Sequence, residues 1–299
     1  MAIVNSRAAI EPKTGKAAIF VNETIHSPMR KLFSNGEQGF FYDPNDLSTM
    51  FQDAARTVPV TAVGQPVVLI LDKSKEVLST EKVVNPDFDS DTAWLKVPNV
   101  TISNGSAIFN VAGGNPVLRQ NVGLTAGRWY EVTIDVTEVT SGSSAFRIYG
   151  TGGSDVIFNI LSAGIYKAMT RARSDATGLI GFSASSASMK ISSVSVKELA
   201  GNHAYQTTSA ARPILQDTPR RIDFDTVDDK LITNLPAQLS GCTVIRSVPN
   251  VGTQILTGQT IPATYADNKD HCGLIVINRA LTTSEIAQIT KLFNKAAGV

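Results

Sequence analysis

Three histidines, His26, His203 and His271, stand far apart in the chain, and no His-x-x-x-His or Cys-x-x-Cys spacing occurs. Closely spaced soft ligands for a transition metal are therefore not encoded. The Gly-x-Ser-x-Gly turn that raises a nucleophilic serine on a strand-to-helix elbow is also absent. The densest group of chemically useful side chains is acidic: Asp223, Asp225, Asp228 and Asp229. Calcium takes roughly six to eight oxygens, and this run supplies only part of such a cage. It reads first as a solvated turn after a strand, with Asp225, Asp228 and Asp229 as weak calcium candidates and no cofactor expected. Cys242 and Cys272 are too few for a disulfide framework. They read as buried free thiols, with a bond across adjacent strands as the alternative.

The elements that position these residues are mostly short strands. Val132, Ile134 and Val136 alternate with Glu131, Thr133 and Asp135, and Phe146 and Ile148 alternate with Arg147 and Tyr149. This is the period of two of half-buried strands. Turn residues recur about every ten positions, a spacing typical of a sandwich or jelly roll. The chain of 299 residues has room for two domains. With 27 basic and 26 acidic residues its net charge is +1, which gives no electrostatic reason to expect nucleic acid or a membrane as partner.

Near the end, Thr282 and Glu285 form a capping-box pattern, with Leu281 and Ile286 placed as a hydrophobic staple. Ile286, Ile289 and Phe293 share one face of the predicted helix, which should stop near Gly298. Residues 1–34 lack a sandwich pattern apart from one candidate strand at 18–21. Asp46 should cap a short helical turn reaching 53, and 58–71 should hold two strands.

The stretch 76–199 contains Asn85, Phe88 and Trp94, then Gly127-Arg-Trp-Tyr130, and closes on Ile191, Val194 and Val196. In this it resembles jelly-roll carbohydrate-binding modules. The flanks, Asp72-Lys-Ser74 before it and Gly201-Asn-His-Ala204 after it, read as one motif when joined. With Ile222-Asp-Phe-Asp-Thr-Val-Asp-Asp-Lys-Leu231 and the closing 274–289 segment, they resemble laminin-G/concanavalin-like lectin domains of tailed-phage virion proteins. The implied fold is all-β: a jelly-roll β-sandwich at 76–199 inserted into a truncated concanavalin/laminin-G-like sandwich formed by 35–74 and 201–299. One C-terminal helix and an N-terminal attachment arm, 1–34, complete it. His203 is then a turn or core residue that forms hydrogen bonds. Many such jelly-roll modules hold calcium with an acidic pair in the last strand; Ser192 and Ser193 stand there in this chain.

The resemblance implies a structural protein of a tailed-phage particle, a tail fibre, baseplate or decoration protein. It would assemble in the host cytoplasm with other virion proteins and adhere to host-surface glycan. Trp94 and Trp129 read as core, so the candidate sugar-contact residues are Arg147 and Tyr149, with Gln120 and Tyr166 as neighbours. The alternative is a tail enzyme that degrades polysaccharide. It would need a carboxylate pair, which the sequence does not display, so no enzyme is expected. Between Leu231 and Leu274 only two further strands are predicted, 243–246 and 254–256. That shortage implies an open sheet face and a homo-oligomer, a trimer by preference, to cover it.

Overall fold

A computed structural model of the chain describes residues 26–75, 80–97, 99–110 and 116–299. The strand expected at 18–21 lies outside them. The structure is all-β, with a jelly roll inserted into a second sandwich. A short helix, α1 (His26–Lys31), leads into β1 (Gly39–Tyr42), β2 (Met50–Phe51) and β3 (Leu69–Ile70). Asp46 caps only one tight turn, Leu47–Thr49, by accepting from the Ser48 amide, and the chain is extended again at Met50. Between 58 and 71 only β3 is a true strand. Pro59 and Pro66 form isolated bridges instead, since a proline has no N–H to give to a ladder.

The inserted jelly roll follows as β4 (Leu95–Lys96), β5 (Val100–Ser103), β6 (Ser106–Phe109), β7 (Val117–Asn121), β8 (Trp129–Gly150), β9 (Gly153–Ile160), β10 (Gly164–Arg171) and β11 (Ala176–Leu199). Asn85 and Phe88 lie in a loop at positive φ. The Asn85 amide donates to the Ser90 carbonyl, and the Trp94 indole donates to the Asn85 carbonyl. The long strands β8 and β11 pair with each other along most of their length. Residues 129–136 of β8 pair with β10, and 144–150 pair with β9. On β11 the first half pairs with β7 and a later part with β6. The long hairpin therefore runs through two halves of a curled sheet that encloses one core.

The inward residues show how β11 achieves this. Ile180, Phe182 and Ala184 are buried, then Ala187, Met189 and Ile191, then Val194 and Val196. Parity changes twice, and the register shifts near Ser185–Ser188 and between Ile191 and Ser193. Each shift is a bulge that adds one residue, bends the strand and keeps apolar side chains inside. The three-residue step from Ile191 to Val194 is thus the sequence signature of a bulge.

The second sandwich resumes with β12 (Ala204–Tyr205), β13 (Ile214–Gln216), β14 (Arg221–Asp223), β15 (Leu231–Asn234), β16 (Leu239–Val248), β17 (Gly252–Ile261), β18 (Thr264–Asp267), β19 (Gly273–Ile277) and helix α2 (Thr283–Ala297). One sheet runs β1-β19-β16-β17 and the other β18-β15-β12-β3-β2. Phe40, Tyr42, Leu274 and Val276 meet Met50, Ile70, Ala204 and Leu231 between the sheets. On the reverse face, Phe41, Ile275 and Ile277 pack with Met29, Phe33, Ile289 and Phe293. A sheet covered on both sides explains the unbroken apolar runs of β1 and β19.

Two expectations change here. Three strands, not two, fill 239–267, and the helices cover one face of the β1-β19-β16-β17 sheet. The expected arm also loses its end to the core, because Met29, Leu32 and Phe33 are buried. The C-terminal helix carries its full capping box at Thr282 and Glu285 and a left-handed C-cap at Gly298. Burying side chains such as Ile289 and Phe293 stabilises by about 1.5–3 kcal/mol each.

Candidate functional site

Along β8 the even-numbered residues from 130 to 136 and from 144 to 148 are buried, so Arg147 and Tyr149 project to the outer face. Their neighbours follow from register. Arg147 lies opposite Gly181, which lies opposite Arg119 on β7, and on the other side Arg147 lies opposite Val156 of β9. The next row places Val117, Ser183, Ala145 and Asn159 side by side. Of these rows, Arg119, Arg147, Val117, Ser183, Ala145 and Asn159 line a groove of about 670 Å³ together with Ser143 and Leu161. Leu161 is 68% exposed.

The two arginines of the groove are held in place. Arg147 donates through Nε to Ser183 Oγ (2.9 Å) and through Nη1 to Ser154 Oγ (3.2 Å). The Arg119 guanidinium lies over the Tyr149 ring, 4.5 Å from its centroid, a cation–π contact. Gly181 allows this crossing. A Cβ there would sit 2.6 Å from Arg119 Cγ and 2.4 Å from the Leu118 carbonyl oxygen. One face of Tyr149 is therefore already occupied by Arg119. No carboxylate lines the groove.

The other two candidates point elsewhere. Gln120 pairs with Ile180 and is buried, its amide accepting from the Val84 N–H and donating to the Val84 carbonyl. Tyr166 pairs with inward-facing Ile134, packs edge-on against Phe158 and donates to the Ser162 carbonyl. Cross-strand partners share a face, so neither residue reaches the groove. Arg119, Ser154, Asn159 and Ser183, which do flank or line it, were missed. The alternation of Leu118 inward already placed Arg119 outward and Gln120 inward.

The acidic run forms a closed turn. Asp225 Oδ1 accepts from the amides of Val227, Asp228 and Asp229, and the Asp225 amide donates to Asp229. Carboxylate oxygens of Asp225, Asp228 and Asp229 lie within 4.8 Å of one another. The three amides lower the Asp225 pKa, whereas partial burial and the neighbouring carboxylates raise that of Asp229. The local amides account for this geometry without an ion.

His203 sits where the two modules join. It is buried, and its Nδ1 accepts from the Asp72 amide. Burial, with the positive charge of Arg56, drives its pKa down to about 3. Asp72 in turn accepts from the amides of Phe41, Ser74 and Asn202. Gly201, at φ +117°, lets the chain approach Asp72, where a Cβ would lie 2.8 Å from Oδ2. The motif split by the insert is therefore a structural clasp. Trp129, expected in the core of the jelly roll, is buried at this junction with Phe51, Leu69, Leu71, Met169 and Leu199. Cys242 and Cys272 are buried and unbonded.

No family model matches the chain, and no curated protein does. Among solved structures it is similar to the CBM22-1–GH10 modules of the Clostridium thermocellum endo-1,4-beta-D-xylanase 10B complexed with xylohexaose. That likeness has a TM-score of 0.27 at 11% identity and covers 44% of this chain and 29% of that one. It is also similar to the CBM22-1–CBM22-2 tandem domain of Paenibacillus barcinonensis Xyn10C. There the TM-score is 0.30 at 9% identity, over 78% of this chain and 96% of that one. The functional reading rests on the groove itself.

Proposed function

We propose that this chain is a lectin-like binding protein whose jelly roll contacts polysaccharide through the groove over β7, β11, β8 and β9. The observation that carries this reading is a set of polar groups on one open sheet face, with Arg119 stacked on Tyr149, Arg147 bonded to Ser183, and Asn159 exposed beside them. Sugar hydroxyls both donate and accept, and polar groups fixed on a rigid sheet meet them without first being ordered. Leu161 and Val156 add apolar surface for the faces of sugar rings. Glycoside hydrolysis uses two carboxylates, and the lining has none. Binding without cleavage is the better fit than a polysaccharide-degrading tail enzyme.

The second sandwich acts as the carrier. The reading of a tailed-phage virion protein, in tail fibre, baseplate or decoration position, rests on the resemblance carried by its Asp72-Lys-Ser74 and Gly201-Asn-His-Ala204 sequence. Its partners would be other virion proteins and a host-surface glycan. A polysaccharide array probed with the full chain and with Tyr149→Ala and Asn159→Ala variants tests the binding role. Retention of at least one polysaccharide, weakened in both variants, is expected. A chain that retains none overturns the reading.

A further inference from the structure

The charge of the groove goes further than its shape. Outward positions on the three central strands of this half-sheet are Val117, Arg119 and Asn121 on β7, Leu179, Gly181 and Ser183 on β11, and Ala145, Arg147 and Tyr149 on β8. They hold two arginines and no acid. Several arginines elsewhere are matched: Arg56 with Glu131, Arg173 with Asp155 and Asp175, Arg220 with Asp217, Arg221 with Asp223, Arg246 with Asp267 and Arg279 with Glu285. Arg171 and Arg212 donate instead to the Gly127 and Thr207 carbonyls. Among the described residues, neither Arg119 nor Arg147 has a carboxylate partner. The nearest acid on β9, Asp155, is engaged by Arg173 at 2.6 Å.

Both side chains are also pre-positioned. Two serine hydroxyls use Nε and Nη1 of Arg147 and leave its Nη2 without a partner among the described residues. The Tyr149 ring supports Arg119 from one side and takes none of its terminal N–H donors. Two guanidinium groups thus stand on one face of the sheet with donors to spare. A guanidinium fork matches a carboxylate, sulfate or phosphate ester, and its charge-assisted bonds are about twice as strong as neutral ones.

We infer that the groove takes an acidic polysaccharide, one whose carboxylate, sulfate or phosphate groups are bound by Arg119 and Arg147. This rests on the glycan-binding reading and narrows its ligand class. Sugar is favoured over an acidic protein segment because the lining combines Asn159, Ser143 and Ser183 with the arginines. Those neutral polar groups match ring hydroxyls.

The test is an array of carboxylated, sulfated, phosphorylated and neutral polysaccharides, with a polyglutamate peptide as control, probed with the full chain. Arg119→Gln, Arg147→Gln and Arg147→Lys follow, each checked for native circular dichroism. The expected result is retention of acidic polysaccharides only. Each glutamine variant should weaken it about tenfold or more, with Arg147→Lys in between because it keeps charge and loses the fork. Binding should also fade in about 0.5 M salt, where screening shortens to a few ångströms. Equal retention of neutral polysaccharides would overturn the acidic class and leave the lectin-like role standing. Acidic retention unchanged in the glutamine variants would overturn the assignment to these arginines. Retention of no polysaccharide, or of polyglutamate alone, would overturn both readings.

Discussion

The backbone amide of Asp72 donates to Nδ1 of His203 at 2.9 Å, although 131 positions separate them. Their strands pair directly, Ile70 with Ala204 and Leu69 with Tyr205. The whole jelly roll leaves and returns at one point of a continuous sheet. Because Nδ1 accepts, the ring proton resides on Nε2, which fixes the tautomer.

A chain in which a short glycine-serine turn replaces residues 76–200 should therefore still form the second sandwich. Its β3–β12 pair closes without the jelly roll. It would expose Phe51, Leu69 and Leu71, which pack against Trp129, Met169 and Leu199, so its melting temperature should fall while unfolding stays cooperative. An unfolded product would show that the insert forms part of the carrier's core. Residues 76–199 expressed alone should likewise give a cooperative melt.

Acid should weaken the junction first. The His203 pKa is depressed to about 3 from 6.5, so the unfolded chain binds a proton that the folded chain refuses. His271 is lowered as well, chiefly by burial. Stability from His203 is complete above about pH 6.5 and is lost as pH falls toward 3, and that from His271 is lost in the same direction. Chemical denaturation across that window should show the slope. His203→Asn retains an acceptor for the Asp72 amide and should remove up to about one proton from it. An unchanged slope would place the effect elsewhere.

Arg246 and Asp267 form a buried forked pair, Nη2 to Oδ1 at 2.5 Å and Nη1 to Oδ2 at 3.3 Å. Arg246 and His271 help hold the Asp267 pKa down to about 2 against the cost of burial. Asp267→Ala leaves the arginine buried beside no counter-charge, which should cost about 3–5 kcal/mol in urea unfolding. A loss under about 1 kcal/mol would mean that Arg246 reaches water when its partner is removed.

Gly181→Ala tests the groove from beneath. The added methyl would press on the Leu118 carbonyl and on Arg119, so stability should fall by about 1–3 kcal/mol. Arg119 should also leave the Tyr149 ring, which a change in tyrosine fluorescence and a loss of polysaccharide retention would report. Unchanged retention would show that the Arg119–Tyr149 stack is dispensable.

Local chemistry made several features readable from sequence. The capping box at Thr282 and Glu285 lies within one helical turn, and the alternation through Val132–Val136 and Phe146–Ile148 sets inside from outside along a single strand. By the same rule Arg147 and Tyr149 belonged outside, where they are. The split motif, Asp72 and Gly201-Asn-His-Ala204, signalled the insertion because its two halves complete one hydrogen-bonded turn. What the period of two cannot say is which strands lie side by side. The groove collects Arg119, Arg147, Asn159 and Ser183 from four strands by register alone. Gln120 and Tyr166 looked like neighbours by residue type, yet their pairing with Ile180 and Ile134 turns them inward. Packing between distant segments likewise decided that Trp129 fills the junction between modules and that α1 and α2 close the sheet face. Such burial depends on which surfaces meet, and that is settled only when the whole chain has folded.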